Sequence, residues 1–239
     1  GFVMASRYEL WLCDDAGKRI NFLTDLAFFS YARTVSGYST CTVGMAFDAW
    51  QKIAPSIYTP DWRIDIWRAP DESTSMRREK SYLIRKYNVY QREEDGVRII
   101  ELFGRDAKDI LRRQYLSSWP AGGMTDYIDD IMKYIVSNNI VGTQTVPTGE
   151  FAVDGDGSLG PSVNVDFDER NVLDVLNELQ DMSQSLNLES STNKKIYFDV
   201  EEDGSLVTNG FGYRFRTYAT LRGGDRTTGL LFSVENGNI

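Results

Sequence analysis

Apolar stretches with interspersed polar positions follow one another along most of the first hundred residues, and turns rich in aspartate and glycine separate them. A period of two residues is typical of strands, because successive side chains of a strand point to opposite faces of the sheet. The pattern predicts strands over residues 8–13, 21–33 and 38–45, with a hairpin turn at residues 14–17. Strands that follow one another at this short spacing indicate antiparallel pairing.

Two later segments extend the strand pattern. Residues 62–67 alternate with their apolar side chains on one face, which predicts a half-buried strand. Residues 82–92 and 97–103 flank an acidic turn that contains Gly96, and glycine supplies the positive φ that a tight hairpin turn needs. The sequence therefore predicts a β-hairpin in this region.

The period changes to that of a helix after residue 105. We expect helices over residues 106–116, from Thr125 into the apolar stripe that follows it, and over residues 169–186. Thr125 and Asp168 are the expected N-caps, since both side chains accept hydrogen bonds from backbone N–H groups. The apolar stripe of the third helix comprises Val172, Val175, Leu176, Leu179 and Leu186.

Strands return after the helices. Residues 141–161 are rich in Gly, Pro and Thr, which predicts a long exposed loop. Residues 195–200, 213–221 and 230–233 have strand character, and residues 201–204 predict a turn. The order of strands, helices and strands indicates a β-rich α+β protein.

The composition removes several kinds of chemistry. The 239 residues include no histidine, so imidazole-based nucleophile pairs, general bases and His-containing zinc sites are excluded. Cys13 and Cys41 are too few for a disulfide framework and lack metal-ligand spacing, so we interpret both as buried thiols. A net charge of −9 disfavours general binding to duplex nucleic acid. No run of 18 apolar residues occurs, and we expect no stable membrane insertion by this chain.

Several polar patterns are better explained by structure than by chemistry. Residues 154–157 begin like a calcium loop but lack the glycine and carboxylate needed at its sixth and twelfth positions. Residues 213–218 alternate aromatic and basic side chains, as single-strand nucleic-acid platforms do, but a strand places the two kinds on opposite faces. The acidic triplets 93–95 and 201–203 have the residue types of a glycosidase pair, yet both lie in predicted turns. We interpret these patterns as solvated turns and as core rings beneath solvated arginines.

The remaining charged segments give no active site either. The basic clusters at residues 77–80 and 112–113 lie among mixed charges and are interpreted as solvated faces or partner contacts. Glycine-rich phosphate-binding motifs are absent from the sequence. We therefore expect no catalytic, cofactor-binding or metal-binding residues, no cofactor and no enzymatic activity.

Three groups of motifs occur in a distinctive order along the chain. The strand and helix at residues 101–113 contain the pattern G-R-D-x-x-x-[IL]-L, and residues 126–142 form a helix before an N-N-I-type turn. Residues 171–176 are followed by a G-x-D-R-T-like element at 224–227 and by F-S-x-x-x-G-N-[IL] at 232–239. In this order the motifs resemble those of phage tail-hub proteins, the siphovirus Gp37-like family, which are relatives of the trimeric baseplate hub of contractile tails.

This resemblance implies a trimeric hub whose protomers each contribute two tube-type β-barrel domains, with a helical insertion between them. It implies a first tube domain over residues 1–118 that ends in a helix, an insertion over 119–165 and a second tube domain over 166–239. Family members continue beyond the last motif, whereas this chain ends at Ile239. The second domain is therefore expected to be truncated or to be completed by another segment.

The function implied by the resemblance is structural. A ring of three copies at the distal end of the virion tail, assembled in the host cytoplasm, links the tail tube to the tip and lets DNA pass without binding it. The implied partners are further copies of the chain, the tail tube or distal tail ring protein, the tape-measure protein and tail-tip or fibre proteins.

Glu101, Asp199 and Asp65 are candidates for the channel wall of such a ring, because they are acidic residues within otherwise apolar strands. Two alternatives stay open. One is a distal tail ring or adaptor protein, although the helical segment at residues 105–140 favours the hub. The other is a tail-associated peptidoglycan or polysaccharide hydrolase that uses a carboxylate pair.

Overall fold

The computed structural model describes residues 6–34, 37–54, 61–71, 74–143, 146, 149–185 and 195–219. The strands are β1 (Arg7–Cys13), β2 (Arg19–Phe22), β3 (Leu26–Ala32), β4 (Thr40–Ala46), β5 (Arg63–Ala69), β6 (Arg77–Gln91), β7 (Arg98–Arg105), β8 (Met124–Tyr127), β9 (Phe151–Val153), β10 (Ser162–Val165), β11 (Tyr197–Asp203) and β12 (Gly212–Tyr218). The helices are α1 (Phe47–Ile53), α2 (Lys108–Arg112), α3 (Ile128–Asn139) and α4 (Val172–Ser185).

The first seven strands form one antiparallel sheet in the order β2-β1-β5-β6-β7-β4-β3. This sheet curls into a half-barrel, because the ring of Tyr8 on β1 lies 5.4 Å from that of Phe29 and 6.3 Å from that of Tyr31 on β3, the strand at its far edge. Buried apolar side chains fill the inside, and α1 adds Phe47 and Trp50 to them. The half-barrel therefore encloses a packed core.

The structure confirms the predicted hairpin and changes two other predictions for this sheet. Gly96 has a φ of 68° in the turn between β6 and β7. The predicted strand over residues 21–33 is two strands, since Asp25 adopts a φ of 56° and the chain turns there. Helix α1 has no counterpart in the sequence prediction, because its buried residues, Phe47 and Trp50, are too few to establish a helical period.

The prediction that residues 62–67 form a half-buried strand is wrong, because β5 is buried on both faces. Ile64 and Ile66 belong to the core of the half-barrel. Arg63 and Asp65 on the opposite face are 4% and 1% exposed, because the second half of the chain covers them. Alternation in the sequence indicates that one face of a strand is apolar, but it does not indicate whether another part of the chain covers the polar face.

The second half of the chain forms its own layer of helices and short strands. Helix α3 packs against α4, β8 pairs with β10, and β9 lies parallel to β12 in a sheet of order β11-β12-β9. The buried side chains of these elements form one cluster that also includes Cys13 and Leu83 from the half-barrel sheet. The strand β9, from residues 119–165, thus shares a sheet with strands from residues 166–239. The division into three domains stays a prediction.

Both predicted helix caps are wrong. Thr125 lies in β8, and α3 begins at Ile128, because pairing with β10 holds the preceding residues in extended conformation. Helix α4 is capped by Asn171 and not by Asp168, since the N–H of Leu173 donates to Asn171 Oδ1 at 3.0 Å. Each predicted cap therefore lies a few residues before the first residue of its helix, because pairing with distant segments of the chain delays the start of the helix.

The end of the chain differs from the prediction in detail. Residues 201–203 continue β11 instead of turning, and the turn follows at residues 204–210. The predicted exposed loop at residues 141–161 contains β9. Leu186, the strand at residues 230–233 and the motifs at residues 224–227 and 232–239 lie outside the described residues. Among the helices described, none is long and apolar enough to cross a membrane.

The apolar stripe of α4 provides the first testable prediction. Leu176 is completely buried between α4 and the surrounding core, so Leu176→Ala leaves a cavity and should lower the free energy of unfolding by about 2–5 kcal/mol. Urea denaturation measures this loss, with Asp181→Ala on the exposed side of α4 as control. A loss below about 0.5 kcal/mol for Leu176→Ala would contradict the packing of this helix.

Candidate functional site

The sequence contains the residue types of a metal site, reactive thiols, a carboxylate pair and a surface for stacking bases. The part of the chain that the structure describes does not assemble any of these four. No group of three or more Cys, Asp or Glu side chains there is arranged to hold a metal ion. Cys13 and Cys41 are free and buried, as predicted. Burial raises the pKa of Cys13 to about 12 and also raises the pKa of Cys41, so both thiols are protonated at neutral pH and are poor nucleophiles.

The two acidic triplets have different environments. Residues 93–95 form the exposed tip of the β6–β7 hairpin, here called the acidic tip. Within this tip Asp95 pairs with Arg92, whereas no ion pair joins Glu93 or Glu94 to another described side chain. The prediction of a turn is therefore confirmed for this triplet.

The second triplet, residues 201–203, lies within β11, and its carboxylates stabilise the fold. Glu202 accepts a hydrogen bond from the backbone N–H of Ser81 at 2.7 Å. Hydrogen bonds from Ser205 and Arg214 lower the pKa of Asp203 to about 2. These carboxylates are held by neighbouring protein groups and do not face one another across a cleft, as glycoside hydrolysis requires.

Strand β12 carries the alternating aromatic and basic residues. The rings of Tyr213 and Phe215 are buried in the core, as predicted, and are not exposed for stacking on bases. Arg214 and Arg216 on the other face pair with Asp154 at 3.2 and 3.3 Å. The interpretation of core rings is confirmed, and the arginines are ion-paired instead of simply solvated.

The calcium-like segment after β9 is held by the first turn of α3. Asp130 Oδ1 accepts the N–H of Gly157 at 2.9 Å, and Asp129 Oδ1 accepts the N–H of Leu159 at 2.6 Å. Lys133 donates to the other oxygen of Asp129 at 3.0 Å. The acidic glycine turn thus packs on a helix through its backbone.

Strands β5 and β6 carry charged side chains that are buried or partly buried where the second half of the chain packs on the half-barrel sheet. We call this set, Arg63, Asp65, Arg78 and Lys80, the polar seam. Asp65 accepts two hydrogen bonds from Arg78, at 2.8 and 3.2 Å, and one from Trp67 Nε1 at 2.8 Å. Its carboxylate is thereby paired on both oxygens, as a buried charge requires.

The cations of the polar seam also bind the second half of the chain directly. Arg63 donates to the carbonyl oxygens of Phe211 and Asp15, and its guanidinium lies 4.7 Å from the Phe211 ring centroid and 4.6 Å from that of Tyr213. Lys80 Nζ donates to the carbonyl oxygen of Val200 at 3.4 Å. These contacts join the half-barrel to the β11–β12 hairpin.

The three candidates for a channel wall occupy different environments. Asp65 is buried in the polar seam and is not available to a channel, so the prediction that it belongs to the channel wall is wrong. Asp199 lies 3.7 Å from Lys80 and 3.9 Å from Lys108. Glu101 on β7 is partly exposed, and no described cation forms an ion pair with it. An acidic residue within an apolar strand has the same sequence pattern whether it meets water or a buried arginine.

In the cluster at residues 77–80, Arg77 is exposed as expected of a solvated face, whereas Arg78 and Lys80 belong to the polar seam. The pair at residues 112–113 belongs to a larger set. Asp109, completely buried, accepts hydrogen bonds from Arg105 at 3.2 Å, Arg112 at 2.8 Å and Arg113 at 3.0 Å. Arg85 on β6 approaches the same carboxylate at 3.5 Å. We call these four arginines the arginine cluster.

A second carboxylate and an aromatic ring complete this region. Asp61 pairs with Arg85 at 2.7 Å and with Arg113 at 3.0 Å. The ring of Tyr38 lies 4.8 Å from the Arg105 guanidinium and 5.6 Å from that of Arg112. Four guanidinium groups and two carboxylates give the region a net charge of +2, although the whole chain is acidic.

The first motif, G-R-D-x-x-x-[IL]-L, lies where the half-barrel sheet turns into α2. A Cβ atom at Gly104 would lie 2.5 Å from the sulfur of Cys41 and 2.8 Å from the Cβ of Tyr82, so only glycine fits between the strands. Asp106 accepts the backbone N–H of Lys108 at 3.2 Å and caps the start of the helix. This motif therefore positions the junction between sheet and helix.

Asparagines of the later motifs have similar roles. Asn139 Oδ1 accepts the backbone N–H groups of Ser117 and Ser118 at 2.9 and 2.8 Å. Asn171 caps α4 and also donates to the carbonyl oxygen of Arg112 at the end of α2. The described motif residues hold chain segments in place and do not form a reactive site.

Comparisons with known proteins identify the fold. The chain is similar to the 43 kDa tail protein of prophage MuSo2 from Shewanella oneidensis, with a TM-score of 0.50 and 10% sequence identity over 88% of this chain and 53% of that protein. This likeness shows that the chain has the fold of a prophage tail protein. No model of a protein family matches the sequence. A comparison with curated proteins finds no relative.

Two further solved structures are more distantly similar. A tail protein from Neisseria meningitidis MC58 has a TM-score of 0.46 and 11% identity, over 84% of this chain and 60% of that one. The prophage tail protein gp18 from Listeria monocytogenes EGD-e has a TM-score of 0.46 and 10% identity, over 87% and 50%. The chain thus spans between half and three fifths of the length of these three proteins.

The polar seam provides a stability prediction. Asp65→Asn leaves the partly buried Arg78 without its counter-charge, and we expect the free energy of unfolding to fall by on the order of 3 kcal/mol. Chemical denaturation measures the change. Asp95→Asn, which breaks an exposed Asp–Arg pair at the acidic tip, is the matched control and should leave the unfolding midpoint unchanged. Equal effects of the two substitutions would contradict the role of the polar seam.

The arginine cluster provides a pH prediction. Burial by itself raises the pKa of Asp109, but the hydrogen bonds and charges of Arg112 and Arg113 outweigh it and hold the pKa below its usual value. A carboxyl whose pKa is lower in the folded state stabilises the protein above its unfolded pKa of about 3.9, and that stabilisation is lost as pH falls through the folded pKa.

Asp109→Asn should therefore destabilise the protein at pH 7, and the difference from wild type should shrink as the pH falls below about 4. Urea denaturation across this pH range measures the difference. A deficit that stays constant from neutral to acidic pH would show that the charge of Asp109 does not stabilise the fold.

Proposed function

We propose that the chain is a structural hub protein in the tail of a bacteriophage or phage-like particle and that three copies close into a ring at the distal end of the tail. The observation that carries the proposal is the fold shared with the MuSo2 tail protein over 88% of the chain. The resemblance of the ordered motifs to tail-hub proteins supports a hub in preference to a distal tail ring or adaptor protein. The helical segment at residues 105–140, which contains α2 and α3, supports the same choice.

The half-barrel sheet supports an assembled state. It ends in β2 on one side and β3 on the other, and sheet edges of this kind are paired or covered in stable assemblies. Because buried side chains fill the inside of the half-barrel, a passage for DNA must lie between copies and not within one. A closed ring of copies provides such a passage and limits further growth.

Charge supports passage without binding. An acidic wall repels phosphate groups and avoids the counterion-release affinity that would slow DNA ejection. The net charge of −9 suits this role, and Glu101 is the channel candidate that stays partly exposed outside the ion pairs. The proposed partners are the tail tube or distal tail ring protein, the tape-measure protein and the tail-tip or fibre proteins.

Cryo-electron microscopy of assembled particles tests the placement. We expect a collar of three copies between the tail tube and the tip, with the half-barrels around a central channel. A single copy, a twofold arrangement or a position along the tube shaft would overturn the hub proposal. A channel lined by Lys and Arg would overturn the electrostatic argument and leave the ring intact.

An activity assay separates the hub from the hydrolase alternative. Purified chain should release no products from peptidoglycan or capsular polysaccharide, because its acidic triplets lie in a hairpin tip and in a hydrogen-bonded strand. Turnover that one carboxylate-to-amide substitution abolishes would replace the structural proposal with a hydrolase.

A further inference from the structure

The two ends of the β6–β7 hairpin carry opposite charges. The acidic tip occupies one end, and the arginine cluster, through Arg85 and Arg105, occupies the other. Strand β6 continues for six positions from Arg85 to Gln91, where the turn with the acidic tip begins, which corresponds to about 20 Å along a strand. The acidic tip of one chain therefore cannot reach the arginine cluster of the same chain.

The arginine cluster is accessible and pre-organised. Arg105 and Arg112 expose 36% and 41% of their side chains, while buried Asp109 and the Tyr38 ring hold their guanidinium groups in place. The carboxylates of Asp109 and Asp61 neutralise only half of the charge of the four arginines around them. Fixed guanidinium groups are well suited to carboxylates, which they bind with two parallel hydrogen bonds.

The acidic tip has complementary properties. Glu93 and Glu94 are exposed, and Tyr90 and Val97 beside them expose 36% and 37% of their surface. Tyr115, which follows α2 next to the arginine cluster, is 59% exposed. Both regions thus place an exposed tyrosine beside charged groups, and tyrosine and arginine are enriched at protein interfaces.

We propose that the acidic tip of one copy binds the arginine cluster of the next copy, head to tail. Carboxylates of Glu93 and Glu94 then pair with guanidinium groups of Arg105 and Arg112. A head-to-tail contact uses two different surfaces of each chain and produces a closed ring when the rotation between copies closes. This inference rests on the proposed ring and assigns the surfaces that join its members.

Charge reversal tests this contact in the full chain. The tip variant, Glu93→Lys with Glu94→Lys, and the cluster variant, Arg105→Glu with Arg112→Glu, should each weaken self-association at least roughly tenfold, because like charges would face one another. The combined variant with all four changes should restore it, because the charges are then exchanged. Sedimentation velocity at low and high salt measures the association, and wild type should dissociate as salt rises.

Two matched variants control for net charge. Asp174→Lys with Asp181→Lys on the exposed side of α4 repeats the charge change of the tip variant. Lys18→Glu with Lys52→Glu at exposed positions repeats that of the cluster variant. Both controls should associate like wild type. Circular dichroism and thermal melts establish that each variant is folded, and the tip variant changes only an exposed turn.

The outcomes separate this inference from the proposed function. Trimers that persist in both reversed variants, or a monomeric wild type at low salt, overturn the head-to-tail contact. Loss of binding to a short DNA duplex in the cluster variant, with unchanged self-association, also overturns it and assigns the arginine cluster to nucleic acid. Failure of the hub proposal is recognised separately, by the position and symmetry of the chain in assembled particles.

Discussion

Charged groups on β5 and β6 are buried where the second half of the chain packs on the half-barrel sheet, and the relation between the two halves depends on how these groups are paired. Moving an arginine or aspartate out of water costs several kcal/mol per ion unless partners replace the lost hydration. Asp65 supplies such a partner for Arg78, and the carbonyl oxygen and ring of Phe211 supply it for Arg63. Because these partners come from both halves, only a specific docking of the β11–β12 hairpin on β5 and β6 satisfies them.

The junction at Gly104–Asp106 leads from the sheet to a second set of paired charges, the arginine cluster, which is nearer the surface. Gly104 allows the strands to approach closely, and Asp106 starts α2 immediately after β7. Helix α2 then brings Arg112 and Arg113 back to Arg105 around Asp109. The G-R-D motif thus has a structural role at the turn between β7 and α2. The same turn creates an ordered basic surface on an acidic protein.

These features agree with the proposed structural role. The carboxylates of Asp109, Asp129 and Asp203, whose pKa values are shifted, are held by arginines, a lysine or backbone N–H groups of the fold. The inside of the half-barrel is filled, and the strands at its edges lack neighbours within the described part of the chain. Exposed edges and an organised charged surface are the features that the proposed ring uses for contacts between its members.

The sequence by itself determined the local conformation of much of the chain and the absence of imidazole chemistry. Strand-prone stretches between turn residues predict most strands, Gly96 predicts the hairpin, and the stripe that includes Leu176 predicts α4, because each signal depends on residues close together in the chain. Tertiary structure decided that Thr125 lies in a strand, that the polar face of β5 is buried and that four arginines converge on Asp109. These outcomes depend on partners far apart in the chain, such as Arg63 and Phe211, 148 residues apart, and local periodicity carries no record of which distant group will cover a charged side chain.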